Sequence, residues 1–227
     1  KFFCQHRQRK KYKIAAMNES DLRTQVARTS RATVTTGLNR GSSGNVSCRC
    51  GDGCLITPSG WPSADVEADH VVKLDHEGRS QGPLAPSSEW RIHRDIYQAR
   101  PDAGAVVHVH SPFAVSLSCL RRGLPAFHYM VAIAGGPDIR CAGYATFGTQ
   151  ALSETVLAAL VDRRACLMAN HGMIALGADL DRALALAVEV ESLCEQFWRA
   201  SLMGPPVLLT DAQMNEALIA FQHYGRR

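Results

Sequence analysis

A chain of 227 residues that is 46% hydrophobic and 20% charged is not a disordered or fibrous protein, and it fits one large globular domain. Its net charge of +4 comes from the start: Lys1, Arg7, Arg9, Lys10, Lys11 and Lys13 stand there without an acid, and the rest holds 19 basic against 21 acidic residues. A mildly acidic body gives no reason to expect a nucleic-acid partner, and no apolar run reaches the ~18 residues of a membrane span.

Residues 1–16 read as a basic, solvated and unstructured extension, dispensable for folding, without the apolar core of a signal peptide. Met17 reads as a natural start. The domain is expected over 17–227, in the cytoplasm. A helix is expected after Ser20, running toward Thr35. A glycine-rich loop, Gly37 to Asn45, follows it. The segment 45–57 reads as a hairpin turning at Asp52-Gly53. It carries Cys48, Cys50 and Cys54, whose spacing matches no common zinc knuckle. Cys48 and Cys50 are expected on one strand face as small buried hydrophobes. The eight cysteines as a set read as reduced thiols, not a disulfide framework.

Val71 to Leu74 is a short strand candidate. Ser87 or Ser88 is expected to cap a helix in which Trp90, His93 and Tyr97 form an amphipathic stripe. Ala105 to His110 is an apolar strand, after which Ser111-Pro112 opens a helix through Leu120. Phe127 to Val131 looks strand-like. Helices are expected over 150–160, 180–202 and 211–223, with a strand over 165–169. Strands and helices alternate with hairpins mixed in, which implies an α/β fold with a mostly antiparallel sheet.

The feature that carries chemistry is His108-Val109-His110. Residues i and i+2 of a strand share a face, so both imidazoles can meet one ion. Two such histidines alone could equally be polar packing. A third, His171, stands before Gly172 at the end of another apolar strand, and three imidazoles with an open position suit a catalytic zinc site. Iron, cobalt and nickel also accept imidazole. Glu89 follows two serines at a helix start, where free backbone N–H groups can hold an anion; Ser-Ser-Glu is also a common helix opening. The loops Gly41 to Asn45 and Thr57 to Gly60 are further possible anion cradles. His70, His76, His93, His128 and His223 read as structural or surface residues.

Taken in order, Gly41-Ser-Ser-Gly-Asn-Val-Ser, Leu55-Ile-Thr-Pro-Ser-Gly, Pro86-Ser-Ser-Glu-Trp-Arg, Ala105-Val-Val-His-Val-His, His128-Tyr-Met-Val-Ala, Tyr144-Ala-Thr-Phe-Gly-Thr and Asn170-His-Gly resemble the class II aldolase/adducin family. The likeness is nearest to the branch acting on L-fuculose 1-phosphate and spans about residues 20 to 226. It implies a single three-layer α/β/α domain around a largely antiparallel sheet, in a homotetramer with active sites at subunit interfaces. It also implies that His108, His110 and His171 hold one zinc ion with Glu89 beside it as acid/base. Asn45, Ser59, Gly60, Ser87 and Ser88 would hold the substrate phosphate. Tyr129, from a neighbouring subunit, would be a proton donor, and Phe147 and Tyr224 would shape the aldehyde pocket. The implied reaction is reversible cleavage of a ketose 1-phosphate to dihydroxyacetone phosphate and a small aldehyde, with zinc stabilising the enediolate. Close relatives carry His-His-Gly where this chain has Asn170-His171-Gly172. Within the family, a sugar-acid phosphate decarboxylase, a methylthioribulose-phosphate aldolase or dehydratase and an epimerase share the metal cage; the epimerase branch has aspartate at the position of Glu89. A binding-only adducin-like domain would have lost the three histidines. A cupin would need a glutamate shortly after His110, and Ser111 to Ser116 supplies none.

Overall fold

The computed structural model describes residues 18–223, with side chains to residue 221. The basic extension and Tyr224 lie outside the described residues. Helix α1 (Glu19–Thr35) begins ahead of Ser20 because Asn18 caps it, its Oδ1 accepting the Asp21 N–H at 2.9 Å. Strands β1 (Asn45–Cys50) and β2 (Gly53–Ile56) form the expected hairpin. Cys50 pairs with Gly53, so the turn is Gly51-Asp52, one residue earlier than the sequence suggested. Gly51 takes a φ of 61°, the left-handed conformation that such a turn needs and that costs glycine little.

The chain continues through β3 (Val72–Leu74), β4 (Ser80–Gln81), α2 (Trp90–Ala99), β5 (Ala105–Val109) and α3 (Pro112–Cys119). It closes with β6 (Cys141–Ala142), α4 (Gln150–Ala159), β7 (Ala165–Met168), β8 (Gly172–Gly177), α5 (Leu180–Met203) and α6 (Asp211–His223). The strand order is β4-β3-β2-β1-β5-β8-β7-β6, antiparallel throughout except for the parallel β6–β7 pair. Phe127 to Val131 makes no strand. A 3₁₀ helix, Tyr129–Ala134, occupies the place, opened by His128 Nδ1 accepting the Met130 N–H at 3.2 Å and closed by Gly135 at φ 95°. The apolar run lacks period-two alternation, so burying Val131, Ala132 and Ala134 on one side favours the helical turn.

Alternation along the strands divides the core into two layers. Val46, Cys48, Val107, Val109 and Met173 face one side, where α1, α3 and α5 pack. Cys54, Ile56, Val106, Met168 and Ile174 face the other, beneath α2 and α4. Cys48 and Cys54 thus lie on opposite faces of the sheet. Burial pushes both thiols up to about 12, the behaviour of packed hydrophobes and not of metal ligands.

The fold also supplies an unexpected helix cap. Ser111 precedes Pro112 with extended backbone as anticipated, but its hydroxyl donates to Glu191 Oε2 at 2.6 Å instead of accepting from the helix. Glu191 on α5 takes over that role, accepting the Phe113 and Ala114 N–H groups at 2.8 and 2.9 Å. We expect Glu191→Ala to lower the stability by roughly 1–2 kcal/mol, the range for losing a cap and leaving N–H donors unmet. Chemical denaturation with an unchanged midpoint would contradict the role.

Candidate metal centre and anion cavity

On β5 the even-numbered residues face α2, so His108 and the following His110 project into that layer. Asn45 on β1 stands directly opposite His108 in the strand register. The His110 backbone is fixed by its N–H donating to Asn39 Oδ1 at 3.0 Å, and Asn39 in turn donates to Thr33 Oγ1 at 3.2 Å. His171 ends the short turn between β7 and β8, in which Asn170 adopts a φ of 56°, a conformation asparagine tolerates better than most residues. Gly172 explains why a glycine follows. A Cβ there would stand 2.4 Å from Val109 O, 3.1 Å from His110 Cδ2 and 3.3 Å from His108 Cε1. The missing side chain lets β8 lie close against β5 and both rings.

Glu89 comes from the α2 layer itself, as the residue immediately before that helix. Neither serine caps this helix as expected. Ser87 Oγ accepts the Glu89 N–H at 3.3 Å and Ser87 O accepts the Trp90 N–H at 3.0 Å, while the Glu89 carboxylate makes no cap and turns to the imidazoles. Its Oε2 lies 3.1 Å from His108 Nε2 and its Oε1 3.2 Å from His171 Nε2. His110 Nε2 is 3.0 Å from His108 Nε2, and the three rings meet nearly edge to face.

One ligand atom from each of Glu89, His108, His110 and His171 lies within 4.8 Å of all the others. Among the described residues this is the group able to hold a metal ion. The hydrogen bonding around it points the same way. His108 Nδ1 lies 2.9 Å from the Met173 carbonyl, which can only accept, so Nδ1 carries a proton and Nε2 is the nitrogen that a neutral ring would offer to an ion in the cluster. Glu89 Oε1 is buried and has no hydrogen-bond donor aligned on it. An uncompensated carboxylate at such depth costs several kcal/mol. Lone pairs converging around an orphaned carboxylate oxygen fit a divalent cation well. Burial works to raise the Glu89 carboxyl, but His108 and then His171, when they are protonated, hold it well below the usual carboxylate range. Burial, then His108 and His171, push His110 down to about 3, so it faces the cluster as a neutral ligand.

Beside the cluster opens a cavity of about 340 Å³. Of the residues expected in the site, Asn45, Ser59, Gly60, Ser87, Ser88 and Phe147 line it together with Glu89, His110 and His171. Asn45 also donates through Nδ2 to Glu89 Oε2 at 2.9 Å. Tyr129 is not among the lining residues; it stands 54% exposed on the 3₁₀ helix, its ring stacked with Phe221 at 6.4 Å. Tyr144, Asn170, Ser42 and Ser43 line the cavity as well, although the sequence marked them only as parts of motifs. His93, by sequence a structural or surface residue, is fully buried and bonded to Asn45; its spacing of four from Glu89 and from Tyr97 is the signal that it faces the site.

A carboxylate–imidazole cluster that could hold a metal ion thus lies beside a cavity lined by serine- and glycine-bearing loops. The family model of the class II aldolase and adducin N-terminal domain matches residues 24–198. The chain therefore belongs to the class II aldolase/adducin family. It is 55% identical over 195 residues to a 5-methylthioribulose-1-phosphate/5-deoxyribulose-1-phosphate aldolase of Rhodospirillum rubrum, covering 86% of this chain and 88% of that protein. It is 45% identical over 212 residues to the L-fuculose phosphate aldolase of Escherichia coli K12, covering 93% of this chain and 99% of that one. A solved L-fuculose 1-phosphate aldolase superposes with a TM-score of 0.87 at 37% identity, covering 91% of this chain and 98% of that structure.

Loading with a divalent metal is expected to give one ion per chain, and His108→Ala to lose it. Gly172→Ala is expected to weaken metal affinity roughly 10–100-fold by displacing the ring environment. Elemental analysis giving wild-type metal content in His108→Ala would rule out the cluster as the site.

Proposed function

We propose that this chain is a zinc-dependent aldolase that reversibly cleaves a ketose 1-phosphate into dihydroxyacetone phosphate and a small aldehyde. The observation that carries this reading is the convergence of Glu89 with three imidazoles beside a cavity lined by serine- and glycine-bearing loops. Zinc is assigned because three imidazoles and a carboxylate suit it, and when bound it supplies a Lewis acid for the ketose carbonyl.

The protein's own groups do the rest. Ser59, Gly60, Ser87 and Ser88 hold the phosphate through hydroxyl and backbone donors, which fixes the carbon chain relative to Glu89. Glu89 moves the proton at the carbon beside the carbonyl, removing it in synthesis and returning it after cleavage, a role worth typically 10²–10⁴-fold in rate. Tyr129 takes the proton of the hydroxyl on the carbon that becomes the aldehyde. Because it lies away from its own chain's cavity, we assign it to the site of a neighbouring subunit in a homotetramer.

The substrates named for the two relatives share the phosphate-and-ketone half and differ in the aldehyde half. Cleavage of a 5-deoxypentulose 1-phosphate releases an aldehyde with no further hydroxyl, whereas L-fuculose 1-phosphate releases lactaldehyde. Tyr144 and Phe147, 59% and 66% exposed at the cavity, offer that end an apolar surface. With the 55% identity to the Rhodospirillum rubrum enzyme, this favours 5-deoxy- or 5-methylthioribulose 1-phosphate. A binding-only role is disfavoured because all four ligand residues are kept.

Two measurements test the reading. Glu89→Gln should abolish exchange of the dihydroxyacetone phosphate proton for deuterium, followed by NMR; exchange at the wild-type rate overturns the assignment. Wild-type enzyme should release aldehyde faster from 5-deoxyribulose 1-phosphate than from L-fuculose 1-phosphate. Release from no ketose 1-phosphate at all would sink the aldolase.

A further inference from the structure

We propose that His93 is a positioning residue that locks the Asn45 amide as a one-way hydrogen-bond donor, to Glu89 on one side and to the anion cavity on the other. The inference rests on the reading of Glu89 as the proton-transfer group. It follows from a buried chain of polar atoms behind that carboxylate, in which the direction of every hydrogen bond is fixed by its end.

Glu89 Oε2, as a carboxylate oxygen, can only accept, so the Asn45 atom 2.9 Å away is Nδ2, donating. Asn45 Oδ1 then faces His93 Nε2 at 2.5 Å and has to receive a proton from it. A neutral His93 with its hydrogen on Nε2 leaves Nδ1 as an acceptor, and Ser47 Oγ donates to it at 2.6 Å. Ser47 Oγ in turn accepts from the Tyr97 hydroxyl at 2.7 Å. Donation runs one way, Tyr97 to Ser47 to His93 to Asn45 to Glu89. Ser47 and His93 are fully buried, and Asn45, Glu89 and Tyr97 are no more than 6% exposed, so water does not compete. Burial also pushes His93 down to about 3, which keeps the ring neutral as the chain requires.

The sequence builds this with two periods. Asn45 and Ser47 are i and i+2 on β1, and His93 and Tyr97 are i and i+4 on α2, so four side chains meet in one layer. The outcome concerns the second Nδ2 hydrogen of Asn45, which Glu89 does not use. Asn45 lines the anion cavity, and with the amide held from behind it presents N–H there and never the carbonyl. A flipped amide would turn oxygen toward both a carboxylate and a phosphate, and His93 Nε2–H holds against that flip while Glu89 is changing partners during proton transfer.

The direct test reads the imidazole itself. In ¹⁵N-labelled metal-free protein, NMR should find His93 neutral with the proton on Nε2 and Nδ1 bare; an Nδ1–H tautomer or an imidazolium overturns the chain. This result does not depend on what Glu89 does, whereas retained proton exchange in Glu89→Gln would fail the underlying reading and leave the tautomer untouched. In the loaded enzyme, His93→Leu should keep its metal while kcat and the affinity for inorganic phosphate both fall, kcat by roughly 10–100-fold. His93→Gln, whose side-chain N–H can donate from the same place, should recover most of both. Wild-type kcat and phosphate affinity in His93→Leu, or no recovery in His93→Gln with both variants folded, would overturn the proposal.

Discussion

Four lone-pair-bearing side chains, two buried and two half-buried, converge within 4.8 Å of one another, an arrangement that a divalent cation would stabilise. That constraint organises the protein. The Met173 carbonyl sets the tautomer of His108, Asn39 fixes the backbone of His110, the left-handed Asn170 aims His171, and the Asn45 amide holds one oxygen of Glu89. Each support comes from a different element, so the geometry of the cluster follows from the tertiary fold and not from any local motif.

The antiparallel sheet makes that convergence possible. β1, β5 and β8 are neighbours, which places Asn45 beside His108 and His108 beside Ile174 in register. Gly172 then removes the one side chain that would hold β8 away from the rings. Helix α2 lies across this face and brings Glu89 at its first end and His93 and Tyr97 further along. The side of the sheet under α1, α3 and α5 packs one of the two apolar cores. The face under α2 carries both core and chemistry, and the cavity opens where the loops after α1 and β2 meet the start of α2.

Much of this was legible from residue patterns. The i, i+2 spacing of His108 and His110 fixes a shared face once a strand is recognised, and the apolar residues from Ala105 mark that strand clearly. The loops around Ser59 and Ser87, which glycine and serine mark as candidate anion cradles, do line the cavity. What could not be read was set by partners remote in sequence. Ser111 looks like a helix cap until Glu191, eighty residues on, takes the role. Phe127 to Val131 looks like a strand because a short apolar run fits either conformation, and only the burial of Val131 and Ala134 decides. The short edge strands β4 and β6 have two residues each, too few for any period to show. His93 looked structural because a buried histidine usually is; its polar partners on β1 emerge only when the helix is laid on the sheet.

X-ray absorption at the zinc edge of protein loaded with one ion per chain examines the cluster of Glu89, His108, His110 and His171 most directly. We expect nitrogen and oxygen neighbours at about 2.0–2.1 Å, with the outer-shell scattering of several imidazoles and no sulfur. A shell of sulfur at about 2.3 Å, or an ion without imidazole scattering, would place the metal elsewhere and contradict the central claim.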